Sequence, residues 1–121
     1  MTNLNGDNVV EELVKQVPEL SSIYKGEMDY YGEISNYVFF GPLLSKFIVE
    51  HHTRAGAELT NGNVLNGIFA YIEKCVETDD PDIRDLILSG FLESFVGTLQ
   101  DYPALKKLLR AKTTELLTLF K

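Results

Sequence analysis

Apolar residues recur along this chain at intervals of three and four. Val64, Leu65, Ile68, Phe69, Ile72, Cys75 and Val76 make one stripe. Phe40, Leu43, Leu44, Phe47, Ile48 and His51 make a second, and Leu105, Leu108, Leu109, Leu116, Leu117 and Phe120 a third. Residues three and four apart lie above one another on an α-helix, so each stripe is one helix face. Strict alternation, the mark of a half-buried strand, is scarce; "SNYVFF" at 35–40 is the one stretch that invites it.

Helix-start signals fall where the stripes need them. Asp7 can cap a first helix ending near Val17. Pro18, Pro42, Pro81 and Pro103 each suit the first turn of a helix, where a missing N–H has no intrahelical partner to lose. Gly26, Gly32, Gly41, Gly56 and Gly62 lie between stripes, whereas Gly67, Gly90 and Gly97 lie inside them and point to close packing or a bend. The pattern predicts helices over 7–17, 19–30, 36–53, 61–77, 81–100 and 103–120. The expected fold is all-α, a single domain over 1–121 of about five to six antiparallel helices.

Composition narrows the class. With 121 residues and 45% apolar content, the chain can bury one core. No apolar run approaches the ~20 residues of a membrane span, so no membrane association is expected. "MTNLNGDNVV" lacks the basic and apolar regions of a secretory signal. A single cysteine, Cys75, forms no internal disulfide, and a reducing cytoplasm is the expected compartment.

Charge changes the picture more. The net charge of −7 argues against nucleic acid as the main partner, because phosphate binding needs a basic stripe. The distribution is uneven: −5 over 1–33, zero over 34–76, −6 over 77–101 and +4 over 102–121. Two acidic blocks therefore flank a neutral middle and precede a basic tail.

The second block lies in "CVETDDPDIRDLILSGFLESF", Cys75–Phe95. An EF-hand loop needs a central Gly and a Glu at its last position; here Pro81 separates Asp80 from Asp82, and apolar residues follow. A metal site is not expected. A turn between two helices fits better: Glu77 ends one, and Asp79 or Asp80 caps the next. Pro81 then takes the first position, with Asp82 and Asp85 in the first turns, near the positive end of the helix dipole. "DDPDIRD" at 79–85 also resembles the turn of HEAT-like repeats, which implies a paired-helix unit over 64–100.

No catalytic constellation accompanies these acids. His51 and His52 are adjacent, so on a helix they point about 100° apart and HExxH spacing is absent. His51 continues an apolar stripe and is expected at the edge of the core; His52 is expected in solvent. Cys75 reads as a small core residue. Ser45, Ser89 and Ser94 lack a GxSxG context, no phosphate loop appears, and Glu93 reads as a rim carboxylate. The expectation is a non-enzyme without a cofactor.

"EMDYYGEISNYVFF", Glu27–Phe40, carries a different signal. Tyr30, Tyr31 and Tyr37 are interleaved with Glu27, Asp29 and Glu33. Tyrosines pair large contact area with a polar tip, and nearby acids steer a basic protein onto them. The plainer alternative is that the rings pack the first helices onto the core. The expected partner-binding residues are Glu27, Asp29, Tyr30, Tyr31, Glu33, Asp79, Asp80, Asp82 and Asp85.

The phrases "VPEL" (17–20), "GPLLSKFIVE" (41–50), "IFAYIEK" (68–74) and "SGFLESF" (89–95) resemble those of a small all-helical bacterial family. In size and acidity the chain also resembles immunity proteins of toxin systems, including contact-dependent growth inhibition. That resemblance implies a cytoplasmic protein that binds and neutralises a cognate toxin, often a basic nuclease. The alternative expectation is a non-catalytic helical adaptor or regulatory scaffold.

Overall fold

The computed structural model describes residues 6, 8–55, 62–78 and 80–118, and every regular element among them is helical. The all-α expectation holds. α1 (Val9–Gln16) buries Val9, Val10 and Leu13 on one face. A single 3₁₀ turn, Pro18–Leu20, leads into α2 (Ser21–Tyr31), which buries no residue completely. Ile23 and Tyr24 hold α2 to the core as half-buried contacts, which leaves its C-terminal end outside the main packing.

The next helical run is kinked. α3 (Asn36–Val38) passes through a wide π turn at Phe39–Leu43 into α4 (Leu44–Ala55). Gly41 leaves helical geometry (φ −84°, ψ −106°) just before Pro42. Proline donates no N–H, and its ring disfavours the α conformation in the residue ahead of it. Pro42 therefore bends a continuous run instead of opening a new helix, as its position had suggested.

α5 (Gly62–Glu77) and the run formed by α6 (Pro81–Asp85), a π segment at Leu86–Leu92 and α7 (Glu93–Asp101) form the predicted helix pair. Their seam is aromatic. Phe69 meets Phe91 and Phe95 with ring centroids 6.4 and 5.8 Å apart, and Phe91 stacks on Phe95 at 4.8 Å. All three rings are fully buried. Tyr71 ties α5 to α1 by donating to the carbonyl oxygen of Val9 at 2.7 Å.

The turn between the pair is built as its residues suggest. The Asp80 carboxylate accepts from the N–H groups of Asp82 and Ile83 at 2.9 and 3.4 Å, and Pro81 takes the first helical position. Asp79, the other candidate cap, and Asp7, the proposed cap of the first helix, lie outside the described residues.

The last predicted helix is divided. A 3₁₀ segment, Pro103–Leu108, ends in extended backbone at Leu109 and Arg110, and α8 (Ala111–Leu117) starts afresh. Leu105, Leu109 and Leu117 are buried as expected, so the apolar reading stands while the continuous helix does not. Glu73 on α5 holds the new helix start. Its carboxylate accepts from the backbone N–H groups of Lys112 and Thr113 and from the Thr113 hydroxyl, at 2.8, 2.9 and 2.8 Å. A break before Ala111 exposes those N–H groups as a fresh helix start, which a distant carboxylate then satisfies.

Candidate functional site

The site is assembled at the C-terminal end of α2 and the chain that follows it. Gly32 ends α2 in the left-handed region (φ 76°), with its N–H donating to the Met28 carbonyl at 2.8 Å. Glycine takes this conformation without a Cβ penalty and turns the chain sharply. Ser35 then caps α3, its hydroxyl accepting from the Val38 N–H at 3.4 Å. Asn36 donates from its side chain to the Gly6 carbonyl at 2.7 Å, which fixes the start of α3.

This geometry turns several large side chains outward. Among the described residues the exposed large apolar side chains are Met28, Tyr30, Tyr31, Tyr37 and Val38, all within 28–38. Tyr30 is 80% exposed and Tyr31 66%, and their rings meet edge to face at 4.6 Å. The neighbouring Phe39 and Phe40 are fully buried, so the chain passes from surface to core within two residues. The reading in which Tyr30 and Tyr31 pack inward as core residues is excluded.

Glu27, Tyr31, Glu33, Ser35 and Val38 line one groove of about 330 Å³ with chiefly apolar walls. A second groove of about 330 Å³ runs past Met28, Gly32, Glu33 and Ile34 toward Val10 and Tyr24. Glu33 stands on both. Asp29 is exposed on α2 but lines neither groove.

The second acidic block contacts the tyrosine stretch through Tyr37, whose hydroxyl donates to the Asp85 carboxylate at 2.8 Å. That hydrogen bond, then burial, then the charges of Asp85 and Asp82 hold the Tyr37 pKa above its ordinary value. Asp82 and Asp85 are thus close enough to act electrically on a residue of the tyrosine stretch. Asp80 is half-buried and directs its carboxylate to its own helix start, which gives it a structural duty. The nine expected contact residues therefore separate: Glu27, Tyr31 and Glu33 share a groove, Tyr30 flanks Tyr31, Asp29 is exposed outside both grooves, Asp82 and Asp85 act on Tyr37, Asp80 caps a helix, and Asp79 lies outside the described residues.

Sequence reasoning missed Val38, Met28 and Ser35. Val38 directly precedes two buried phenylalanines, so nothing in its immediate neighbours marks it as exposed. The available signal was Ser35 as a helix cap, which starts a new helical phase there.

Other candidates behave as structure. Burial pushes the Cys75 thiol up to about 12, against smaller opposing effects of a Tyr71 hydrogen bond and the Lys74 charge, so it stays a neutral core residue. His51 lies against Phe47 at 4.1 Å between ring centroids. His52, expected in solvent, is half-buried, with Tyr102 at 6.1 Å edge to face. Among the described residues no three His, Cys, Asp or Glu side chains come together as a metal-binding group, and no helix is long and apolar enough to cross a membrane. A wider groove of about 500 Å³ lies among Val76, Glu77, Thr78, Arg84, Lys112, Glu115 and Leu116, with charges of both signs.

The fold and this face define an all-α domain with an exposed tyrosine and carboxylate surface. The chain belongs to the family described as a domain of unknown function, DUF7674, whose model matches residues 10–119. Comparison with curated proteins and with solved structures gives no match.

Proposed function

We propose that the protein is a non-catalytic immunity protein that binds a basic toxin domain, of which a nuclease is the favoured kind, and neutralises it by occupying a surface the toxin needs. The observation that carries this reading is the gathering of the exposed large apolar side chains into 28–38, with Glu27 and Glu33 of the first acidic block beside Tyr31 and Val38 and Asp85 of the second bonded to Tyr37. Scattered surface apolar residues need no explanation, but a contiguous patch with a polar rim marks an interaction site. Exposed tyrosines supply anchors, and the carboxylates supply attraction over distance. A cytoplasmic location belongs to the same proposal.

The test is co-expression with a toxin domain encoded beside this chain, in a susceptible bacterial host. The parent chain should restore growth and co-purify with the toxin, and a Tyr30→Ala, Tyr31→Ala double variant should do neither. Growth inhibition unaffected by the parent chain, with no complex on gel filtration, would remove the toxin as partner.

A further inference from the structure

We propose that the groove between the end of α2 and the start of α3 receives an arginine side chain of the partner protein. This rests on the partner-binding reading above and specifies its anchor.

The groove has two kinds of surface. Tyr31 and Val38, 66% and 44% exposed, form apolar walls, and Glu27 and Glu33 stand beside them. Ser35 is already engaged as the cap of α3. Among the described residues neither the Glu27 nor the Glu33 carboxylate takes part in a hydrogen bond or ion pair, so both keep their full accepting capacity. At about 330 Å³ the groove sits at the small end of ligand sites, which span about 300–1,000 Å³. That suits one long side chain.

The occupant follows from charge and shape. An anion would meet two carboxylates. A wholly apolar side chain would strip water from them and leave them unpaired, which is costly. Lysine satisfies charge but carries a strongly hydrated point charge on a flexible stem. Arginine lays an apolar stem along Val38, stacks its planar guanidinium on the Tyr31 ring and offers a fork of donors to a carboxylate. Only arginine uses both the walls and the carboxylates.

Hexa-arginine and hexa-lysine peptides of equal length are the probes, followed by amide chemical shifts in heteronuclear NMR. Hexa-arginine should shift the amides of Glu27, Tyr31, Glu33 and Val38 and bind about tenfold tighter than hexa-lysine, the factor expected of a stacked, partly desolvated guanidinium. Tyr31→Leu keeps an apolar wall and should erase that preference; Glu27→Gln with Glu33→Gln should weaken both peptides. Spectra of the free variants verify that the fold is kept. Equal binding of the two peptides, shifts centred on Asp80–Asp85, or a preference that survives Tyr31→Leu would each overturn the proposal. If Glu27→Gln and Glu33→Gln leave the natural partner bound while Tyr30→Ala releases it, the arginine anchor fails and the partner face stands. If neither set affects the natural partner, both fail.

Discussion

Glu73 and Asp80 both satisfy a helix start with a carboxylate, yet only one could be read from the chain. Asp80 serves N–H groups two and three residues away, and "DPD" announces it. Glu73 serves Lys112 and Thr113, 39 and 40 residues away, and no local pattern links them. The faint signal was the gap in the last apolar stripe between Leu109 and Leu116, which puts Thr113 where an apolar residue was due. Burial alone would raise the Glu73 pKa, but the three hydrogen bonds and nearby Arg110 outweigh it, and the net shift is downward. Replacing Glu73 with Gln should therefore cost about 1 kcal/mol at neutral pH, within the ~0.5–2 kcal/mol range of helix-cap loss. The sign with pH follows from the lowered folded-state pKa. The charged contribution is complete above the unfolded carboxylate's pKa and is lost as pH falls through the folded one. Urea unfolding of parent and Glu73→Gln should thus show a gap at neutral pH that closes in acid. A gap of constant size would mean that shape, not charge, holds α8.

At the scale of elements, the apolar stripes foretold most helices because helix burial is a periodic, local property. They could not foretell how helices cross. Gly41 lies between stripes and Gly90 and Gly97 inside them, but crowding does not follow that division. A Cβ on Gly41 would lie 3.2 Å from the backbone oxygen of Gly90, and one on Gly90 would lie 3.1 Å from Leu86 Cδ1 and 3.3 Å from Tyr37 Cδ1. Nothing lies within 4 Å of a Cβ on Gly97. Gly41→Ala should therefore destabilise by about 1–3 kcal/mol through overpacking against backbone. Gly97→Ala, in the middle of α7, should stabilise by about 0.5–1 kcal/mol through helix propensity. Thermal melts of the two variants should move in opposite directions; a shared direction would refute the crossing at Gly41 and Gly90. The aromatic seam makes a larger claim. Phe91 is fully buried between Phe69 and Phe95, so Phe91→Ala should cost ~3–5 kcal/mol unless the neighbouring rings collapse into the space. Unchanged unfolding by denaturant would show that α5 and the 81–101 run do not share this seam.

Over the whole molecule, the charge asymmetry was legible by counting, and its geometry was not. The two acidic blocks are remote in sequence, and it takes the Tyr37–Asp85 hydrogen bond to place the second beside the tyrosine stretch. The same contact joins α3 to the run that begins at Pro81, so Glu27 and Glu33 stand in a groove with Tyr31 and Val38 while Asp82 and Asp85 act on Tyr37, the residue before Val38. The basic residues Lys106, Lys107, Arg110 and Lys112 follow at the other end of the sequence, and all four are exposed. A basic partner approaching such a face is steered from afar and anchored at contact, and these two stages have different kinetic signatures. Carboxylates act through the field, which reaches only about 8–10 Å at physiological salt, so association should slow markedly as ionic strength rises. Charge reversal at Glu33 and Asp82, exposed positions without a capping duty, should chiefly lower the on-rate. Asp80 is a poor choice for that test because its reversal would also uncap a helix. Tyr30→Ala or Tyr31→Ala should instead raise the off-rate, by about 2 kcal/mol or more in binding free energy if the ring is an anchor. Surface-plasmon kinetics with the purified partner at two salt concentrations separates these effects. Salt-independent association, with every variant binding like the parent, would move the interface away from this face. The exposed lysines and arginine of 106–112 would then make an acidic partner the better match.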